Sequence, residues 1–181
     1  AQNRFVWNDE DAMKDPMLVP VGMKHAGTDM FNTVNADVYG EFAKTGIEVK
    51  AANFDFDAFV DAAAALNLEN IEDVTVFAFI CPKDKAKVRK ALKDTLQYVE
   101  AYARSGYIGT VAGINIYAKA DATEGEVIVA TKDAVTIFEK VGVEMEQERD
   151  ANTRVNSAYS RKYYVVALTD ESKAVKITLN A

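Results

Sequence analysis

The most informative stretch of this sequence is Val74-Thr-Val-Phe-Ala-Phe-Ile-Cys-Pro82, an almost unbroken apolar run that ends at a proline. A short run of this kind is typical of a strand that is buried on both faces, and a proline stops the ladder because it lacks the backbone donor. After Pro82 the period changes, since Val88, Leu92 and Leu96 recur at helical spacing. The stretch therefore predicts a central strand followed by a surface helix.

Composition and charge narrow the class of protein. With 181 residues, of which 49% are hydrophobic, the chain can bury a full core and is expected to form one compact domain with room for an extended appendage. Because 28 acidic residues outnumber 21 basic ones, the net charge of -7 disfavours sequence-specific or tight binding to nucleic acid. We expect neither a membrane-spanning segment nor a signal sequence, because no apolar segment is long enough to cross a membrane and no charged-then-apolar pattern opens the sequence.

The residues before the central strand predict an extended segment and two helices. Two prolines, Pro16 and Pro20, favour an extended stretch over residues 1–23. From residue 24 to residue 46 apolar side chains recur every three or four positions, which predicts a long helix with a single apolar stripe. Asp55 stands at an N-cap position before a second helix, whose apolar stripe continues to Leu66.

The residues after the central helix predict strands. Short β-prone runs flank Gly113, another run covers Val127–Ala130, and longer alternating segments follow from Val135 onwards. In one of these, Glu144, Glu146 and Glu148 share one face of the strand. Helices early and long strands late make this an α+β chain.

The sequence offers little for catalysis, and we assign no catalytic residue, cofactor or metal ligand. His25 is the single histidine and Cys81 the single cysteine, and they stand far apart in sequence. The acidic run Asp9-Glu-Asp11 lacks the ligand spacing of a calcium loop, and one histidine makes a zinc site improbable. Cys81, at the end of the buried strand, is interpreted as a packing thiol.

Several segments together resemble the major capsid proteins of tailed bacteriophages and prophages, whose fold is shared with encapsulins. They are Gly106-Tyr-Ile-Gly-Thr-Val-Ala-Gly-Ile114, Lys132-Asp-Ala-Val-Thr-Ile137, Glu148-Arg-Asp150, Arg161-Lys-Tyr-Tyr164 and Asp170-Glu-Ser-Lys-Ala-Val-Lys-Ile177. The strand, proline and helix around Pro82 resemble the corresponding turn of that family. The likeness covers residues 24–179 and rests on many positions together.

The resemblance implies a fold and a division of the chain. The expected fold has a spine helix, an axial-type mixed sheet flanked by helices, and a peripheral antiparallel β-ribbon. Residues 1–23 would be an extended N-terminal segment and residues 24–46 the spine helix. Residues 54–131 and 170–181 would form the axial-type domain, and residues 132–169 the peripheral domain. Family members usually have an arm and a long loop before the spine helix, so this sequence is expected to be a truncated or reduced version.

The resemblance also implies a structural function. The chain would be a subunit of a capsid shell, assembled in the bacterial cytoplasm, that associates with itself into hexamers and pentamers around the genome. Scaffolding, portal and maturation-protease proteins would be further partners, and no membrane is involved. The alternative is a non-catalytic α+β module that binds a ligand or a protein, with a pocket between the helix at residues 55–66 and the sheet.

Charged residues of the ribbon are the candidates for subunit contacts. We expect the row Glu144, Glu146 and Glu148 to pair with arginines, within one chain or between neighbouring ribbons. The candidate partners are Arg149, Arg154 and Arg161. An equally weighted interpretation is a solvated charged face, because an exposed ion pair contributes only about 0–1 kcal/mol.

Overall fold

A computed structural model of the chain describes residues 1–68, 74–92 and 109–179. The chain divides into two compact units, one formed by Ala1–Gly40 with Ile137–Ala167 and the other by Glu41–Thr136 with Leu168–Ala181. In chain order the elements are β1 (Gln2–Asn8), α1 (Asp9–Lys14), α2 (Leu18–Phe42), β2 (Glu48–Ala51), α3 (Phe56–Ala65), β3 (Val76–Ile80), α4 (Pro82–Ala91), β4 (Thr110–Val111), β5 (Ile114–Ala118), β6 (Glu126–Thr131), β7 (Val135–Asp150), β8 (Val155–Leu168), a 3₁₀ turn (Glu171–Lys173) and β9 (Ala174–Leu179).

The first unit is built on a three-stranded sheet ordered β1-β8-β7. Strand β1 pairs antiparallel with β8, from Gln2 opposite Arg161 to Asn8 opposite Val155. Along β1 exposed and half-buried residues alternate, and the half-buried rings of Phe5 and Trp7 stack with their centroids 5.2 Å apart. Residues 2–8 are thus extended as predicted, but they form a strand of the sheet whose partner lies about 150 positions away in sequence.

Helix α2 begins at Leu18, earlier than the predicted start at residue 24. The Asp15 carboxylate accepts a hydrogen bond from the Met17 amide (2.9 Å), and the Asp15 carbonyl accepts one from the Leu18 amide (3.1 Å). Pro20 then falls in the first turn, where no intrahelical donor is needed. Residues 9–14 are also helical, so the extended conformation expected over residues 1–23 is confined to Gln2–Asn8.

The single apolar stripe predicted for α2 is present. Its least exposed positions recur every four residues, at Ala26, Met30, Val34, Val38 and Phe42. Most of the remaining circumference is exposed. A helix with one buried stripe lies along a partner element and leaves its other sides available.

The second unit contains a six-stranded mixed sheet ordered β2-β9-β6-β3-β5-β4. Strand β3 lies inside the sheet, as the apolar run predicted, and it pairs antiparallel with β6 on one side and parallel with β5 on the other. Val76, Ala78 and Ile80 are fully buried on one face, while Phe77 and Phe79 on the other face are half-buried and pack against the ring of Phe42. The strand is therefore covered on both faces, but not equally.

Helices α3 and α4 contribute to one core cluster on the same face of this sheet. The Asp55 carboxylate accepts a hydrogen bond from the Ala58 amide (3.1 Å), which confirms the predicted N-cap of α3. Pro82 occupies the first turn of α4, where its missing donor costs nothing. The predicted continuation of α4 to Leu96 and the part of the Gly106–Ile114 segment before residue 109 lie outside the described residues.

A buried carboxylate joins α4 to the turn between β5 and β6. Asp84 is fully buried, and its Oδ2 accepts a hydrogen bond from the Gly125 amide at 2.7 Å. Its Oδ1 lies 2.6 Å from Lys87 Nζ, so the negative charge is paired. Gly125 has a φ of +87°, a conformation that side chains other than glycine adopt with strain. Asp84 therefore connects α4 to this turn.

Candidate assembly surface

The sheet of the first unit packs against α2 through a close contact. Glycine at position 22 allows this, because a Cβ there would lie 2.1 Å from Cζ of Phe5. On β8, Tyr164 donates a hydrogen bond to the carboxylate of Asp37 on α2. Burial of the phenol and this carboxylate together raise the pKa of Tyr164 to about 12. The contact with α2 therefore holds one face of the sheet in place.

Strand β7 forms one edge of the sheet and has no buried residue among its sixteen. Several large apolar side chains on β7 and on the adjoining part of β8 are more than half exposed: Phe138, Val143, Met145, Tyr163 and Val165. Large apolar groups that are exposed beside charged ones are a common feature of protein–protein contact surfaces. The edge strand also presents a row of backbone donors and acceptors to solvent.

The structure brings part of the predicted charge set together within one chain. Arg161 on β8 forms ion pairs with two carboxylates of β7, with Glu144 at 3.6 Å and with Glu146. The charge of Glu146 is the largest cause of a raised pKa for the Arg161 guanidinium. The Arg161 side chain is 34% exposed and the two glutamates more so, and these pairs therefore remain accessible to solvent and to a neighbouring molecule.

The remaining predicted residues lie near the turn between β7 and β8. Arg149 pairs with Asp9 (2.7 Å) rather than with a glutamate of its own strand. Arg154 lies in the turn with a φ of +54°, and its carbonyl accepts a hydrogen bond from the Asp9 amide (3.1 Å). Glu148 lines a cleft of about 310 Å³ and forms no ion pair with any residue that the structure describes.

Asp9 is a residue of this surface that the sequence analysis did not identify. Besides Arg149, its carboxylate accepts a hydrogen bond from the side-chain amide of Asn156 at 2.6 Å. The hydrogen bond from Arg149, followed by that from Asn156, lowers the pKa of Asp9. In sequence, Asp9 is one of three consecutive acids, and only the pairing of β1 with β8 distinguishes it from its neighbours.

The structure gives no support for a metal site or a membrane span in the part of the chain that it describes. Among residues 1–68, 74–92 and 109–179, no group of three or more histidine, cysteine, aspartate or glutamate side chains could hold a metal ion. Cys81 is buried at the start of α4, whereas His25 lines a groove of about 390 Å³ between β1 and α2. No helix in the described part of the chain is long and apolar enough to cross a membrane.

The alternative of a ligand-binding module predicts a pocket between α3 and the sheet. There, Ala58, Phe59 and Ala62 are buried to at least 97% and belong to the core cluster together with strand residues. Side chains thus fill the space beneath α3.

Comparison with solved structures identifies the class of fold. A structure from Mycobacterium phage Che8 is similar with a TM-score of 0.79 and 14% identity over 98% of this chain and 69% of that chain. The capsid of an empty GTA particle gives a TM-score of 0.77 and 13% identity, covering 100% and 73%. The holo-SrpI encapsulin complex from Synechococcus elongatus gives 0.73 and 10%, covering 98% and 72%. The chain therefore has the α+β capsid fold of tailed phages and encapsulins.

Sequence comparison adds a more particular relative. The chain is 31% identical over 161 residues to the major capsid protein of Staphylococcus phage phiMR11. The match covers 87% of this chain and 56% of the relative, so the chain spans little more than half the length of the curated protein that it matches. No family model matches the sequence. The resemblance to tailed-phage major capsid proteins, predicted from scattered motifs, is confirmed.

Proposed function

We propose that this chain is a structural subunit of a phage or prophage capsid shell, which associates with itself into hexamers and pentamers that enclose the genome. The observation that carries this proposal is the sequence similarity to a major capsid protein over 87% of the chain, together with a capsid fold. The similar structures include capsids and an encapsulin complex, which supports self-association as the activity. We infer that the function is structural and not catalytic.

We also propose roles for the parts of the fold. In this assignment α2 is the spine helix, the six-stranded sheet with α3 and α4 forms the axial-type domain, and the β7–β8 ribbon is the peripheral domain. Repeated contacts around a ring are heterologous, so one patch of the subunit must fit a different patch of its neighbour. Individually weak contacts then suffice, because they are multiplied over the shell.

The charged ribbon residues remain our candidates for subunit contacts. Arg161 already pairs with Glu144 and Glu146 inside the chain, and both glutamates are at least half exposed. Glu148 on β7 and the turn residue Arg154 add charges of both signs towards the turn end of the same ribbon. We infer that these groups, with Arg149, exchange partners with a neighbouring ribbon. An acidic subunit of this kind can enclose nucleic acid without binding its phosphates tightly.

Further partners and the location follow from the same proposal. Scaffolding, portal and maturation-protease proteins would act during assembly in the bacterial cytoplasm, and the product would be the capsid of the virion. Neither a cofactor nor a membrane has a part in it.

The test is to measure the mass of the purified chain by light scattering over a range of concentrations and to image the same samples by negative stain. Rings or shells are the expected result. A chain that stays monomeric at every concentration and gains thermal stability from a small ligand would instead support the alternative, a binding module.

A further inference from the structure

One exposed helix face of the second unit, on α4, is basic. Helix α4 contains five basic residues and one acid, a net charge of +4 in a chain whose total is -7. Asp84 and Val88 are buried, which turns the opposite side of the helix towards solvent. We define the basic face of α4 as Lys83, Ala86, Lys87 and Lys90, all of which are exposed. At its centre stands Ala86, whose small side chain permits close approach of another helix.

The second face is acidic and lies on α3. Ala58, Phe59 and Ala62 are buried, so the opposite side of this helix is exposed as well. We define the acidic face of α3 as Phe56, Asp57, Val60, Asp61 and Ala64, all of which are exposed. Asp57 and Asp61 are four residues apart and therefore adjacent on the helix surface. Beside them Phe56 is 50% exposed and Val60 41% exposed.

We propose that the acidic face of α3 in one copy of this chain docks on the basic face of α4 in a second copy. The inference rests on the proposed self-association and specifies two of the surfaces that carry it. Both faces have a small or apolar centre and a charged rim of opposite sign, which is the anatomy of a protein–protein contact. Because the two faces belong to different helices of the same chain, the contact is head-to-tail and can be repeated around a ring.

The charges of the basic face are only partly satisfied within the chain. Lys83 pairs with Glu124 (2.9 Å) and Lys87 with Asp84, and the hydrogen bonds that the lysines donate to these carboxylates raise the pKa of both lysines. Lys90 forms no ion pair with any described residue. Since Glu124 is 50% exposed, its pairing with Lys83 can be exchanged for one with a neighbouring carboxylate at little cost.

A second copy fits these faces better than nucleic acid does. A phosphate backbone would account for the lysines of α4 but not for the exposed apolar and acidic groups of α3. Among the described residues of the second unit, the large exposed apolar side chains are Phe56 and Val60 on α3 and Tyr117 on β5. Two of these three lie on the acidic face, next to the carboxylates. Charge complementarity of this kind steers encounter and fixes which surfaces meet.

The experiment uses two variants of the whole chain. Asp57→Lys/Asp61→Lys makes both faces basic, and Lys83→Glu/Lys90→Glu makes both acidic. All four positions are exposed, and the changes that oppose a helix dipole, lysine at position 57 and glutamate at position 90, cost only about 0.3–1 kcal/mol each, so both variants are expected to fold. Circular dichroism checks this. The matched control for Lys83→Glu/Lys90→Glu is Lys24→Glu/Lys132→Glu, which makes the same change of net charge at exposed positions that belong to neither face.

The readout is association measured by sedimentation velocity at low ionic strength. Each variant alone should associate at least about a hundredfold more weakly than the parent chain, because like charges then meet at the contact. An equimolar mixture of the two variants should recover association through alternating copies, and the control should match the parent chain.

The results distinguish a failure of the proposed function from a failure of the docking inference alone. Parent chain that does not associate at any concentration would refute the proposed function, and the inference with it. Parent chain that associates, with variants that associate equally well or a mixture that recovers nothing, would refute the inference alone. If instead Lys83→Glu/Lys90→Glu abolishes binding to a double-stranded DNA fragment and leaves association unchanged, the basic face is a nucleic-acid surface and the proposal is wrong.

Discussion

The contact between α2 and β1 can be tested by placing the same substitution at two glycines of one helix. Gly22→Ala introduces a methyl group 2.1 Å from Cζ of Phe5 and within 2.6 Å of two further atoms of that ring. The ring cannot simply turn aside, because it stacks on Trp7 and its strand is paired with β8 along seven residues. Gly27→Ala, five residues further along α2, meets nothing within 4 Å.

The two substitutions should therefore differ in their effect on the free energy of unfolding. Alanine in place of a helical glycine is favourable by about 0.8–1 kcal/mol, and Gly27→Ala should give most of this gain. At Gly22 the same gain is opposed by overpacking, which costs about 1–3 kcal/mol. We expect Gly22→Ala to be less stable than Gly27→Ala by about 1–3 kcal/mol, the steric term alone.

Urea unfolding followed by tryptophan fluorescence is the appropriate assay. Trp7 is the single tryptophan and lies on β1, so its emission reports the strand that would be displaced. Far-ultraviolet circular dichroism provides the control, because both variants should keep the helix content of the parent chain. Equal stabilisation by the two substitutions would show that β1 does not lie against α2, and the geometry of this unit would be refuted.

Three further predictions concern charged groups. Glu146→Arg and Arg161→Glu should each weaken self-association measured by light scattering, and the double variant should restore part of it; an additive effect would exclude this pair from the contact. Asp9→Asn should lose less stability between neutral and acid pH than the parent chain loses. Because the pKa of Asp9 is lowered in the folded chain, its ionised carboxylate stabilises the fold above the usual pKa of 3.8. This contribution disappears as the pH falls below that value. Thermal unfolding between pH 2 and pH 7 measures it, and parallel curves would contradict it. Asp84→Ala should lower the free energy of unfolding by about 2–3 kcal/mol and Asp84→Asn by less, because the amide oxygen can still accept the backbone hydrogen bond; equal losses in urea unfolding would contradict the role given to that bond.

Three features of the helices and of the central strand could be predicted from local sequence. The apolar run ending at Pro82, the cap at Asp55 and the stripe along α2 each depend on residues a few positions apart, and each is present in the structure. The start of α2 could not be placed, because Pro16 and Pro20 fit an extended chain as well as a helix preceded by a turn. The hydrogen bond from the Met17 amide to Asp15 distinguishes the two.

The candidate surface was harder to predict than the fold. Alternation along β7 correctly put Glu144 and Glu146 on one face, and Arg161 is indeed their partner. The partner of Arg149 could not be found, because Asp9 is 140 residues away in sequence. Asp9 also stands next to Glu10 and Asp11, and the sequence does not show which of these three acids binds the arginine.

The amino-acid sequence by itself determined the secondary structure of the central elements, the α+β class and the likeness to capsid proteins, because these depend on periodicities and on short segments read in order. Tertiary structure alone decided that β1 joins the ribbon, that Asp9 rather than a glutamate binds Arg149, and that α3 and α4 expose faces of opposite charge. The physical reason is that strand pairing and packing bring together residues that are distant along the chain. Which side of a helix faces solvent likewise depends on the surface that covers its other side.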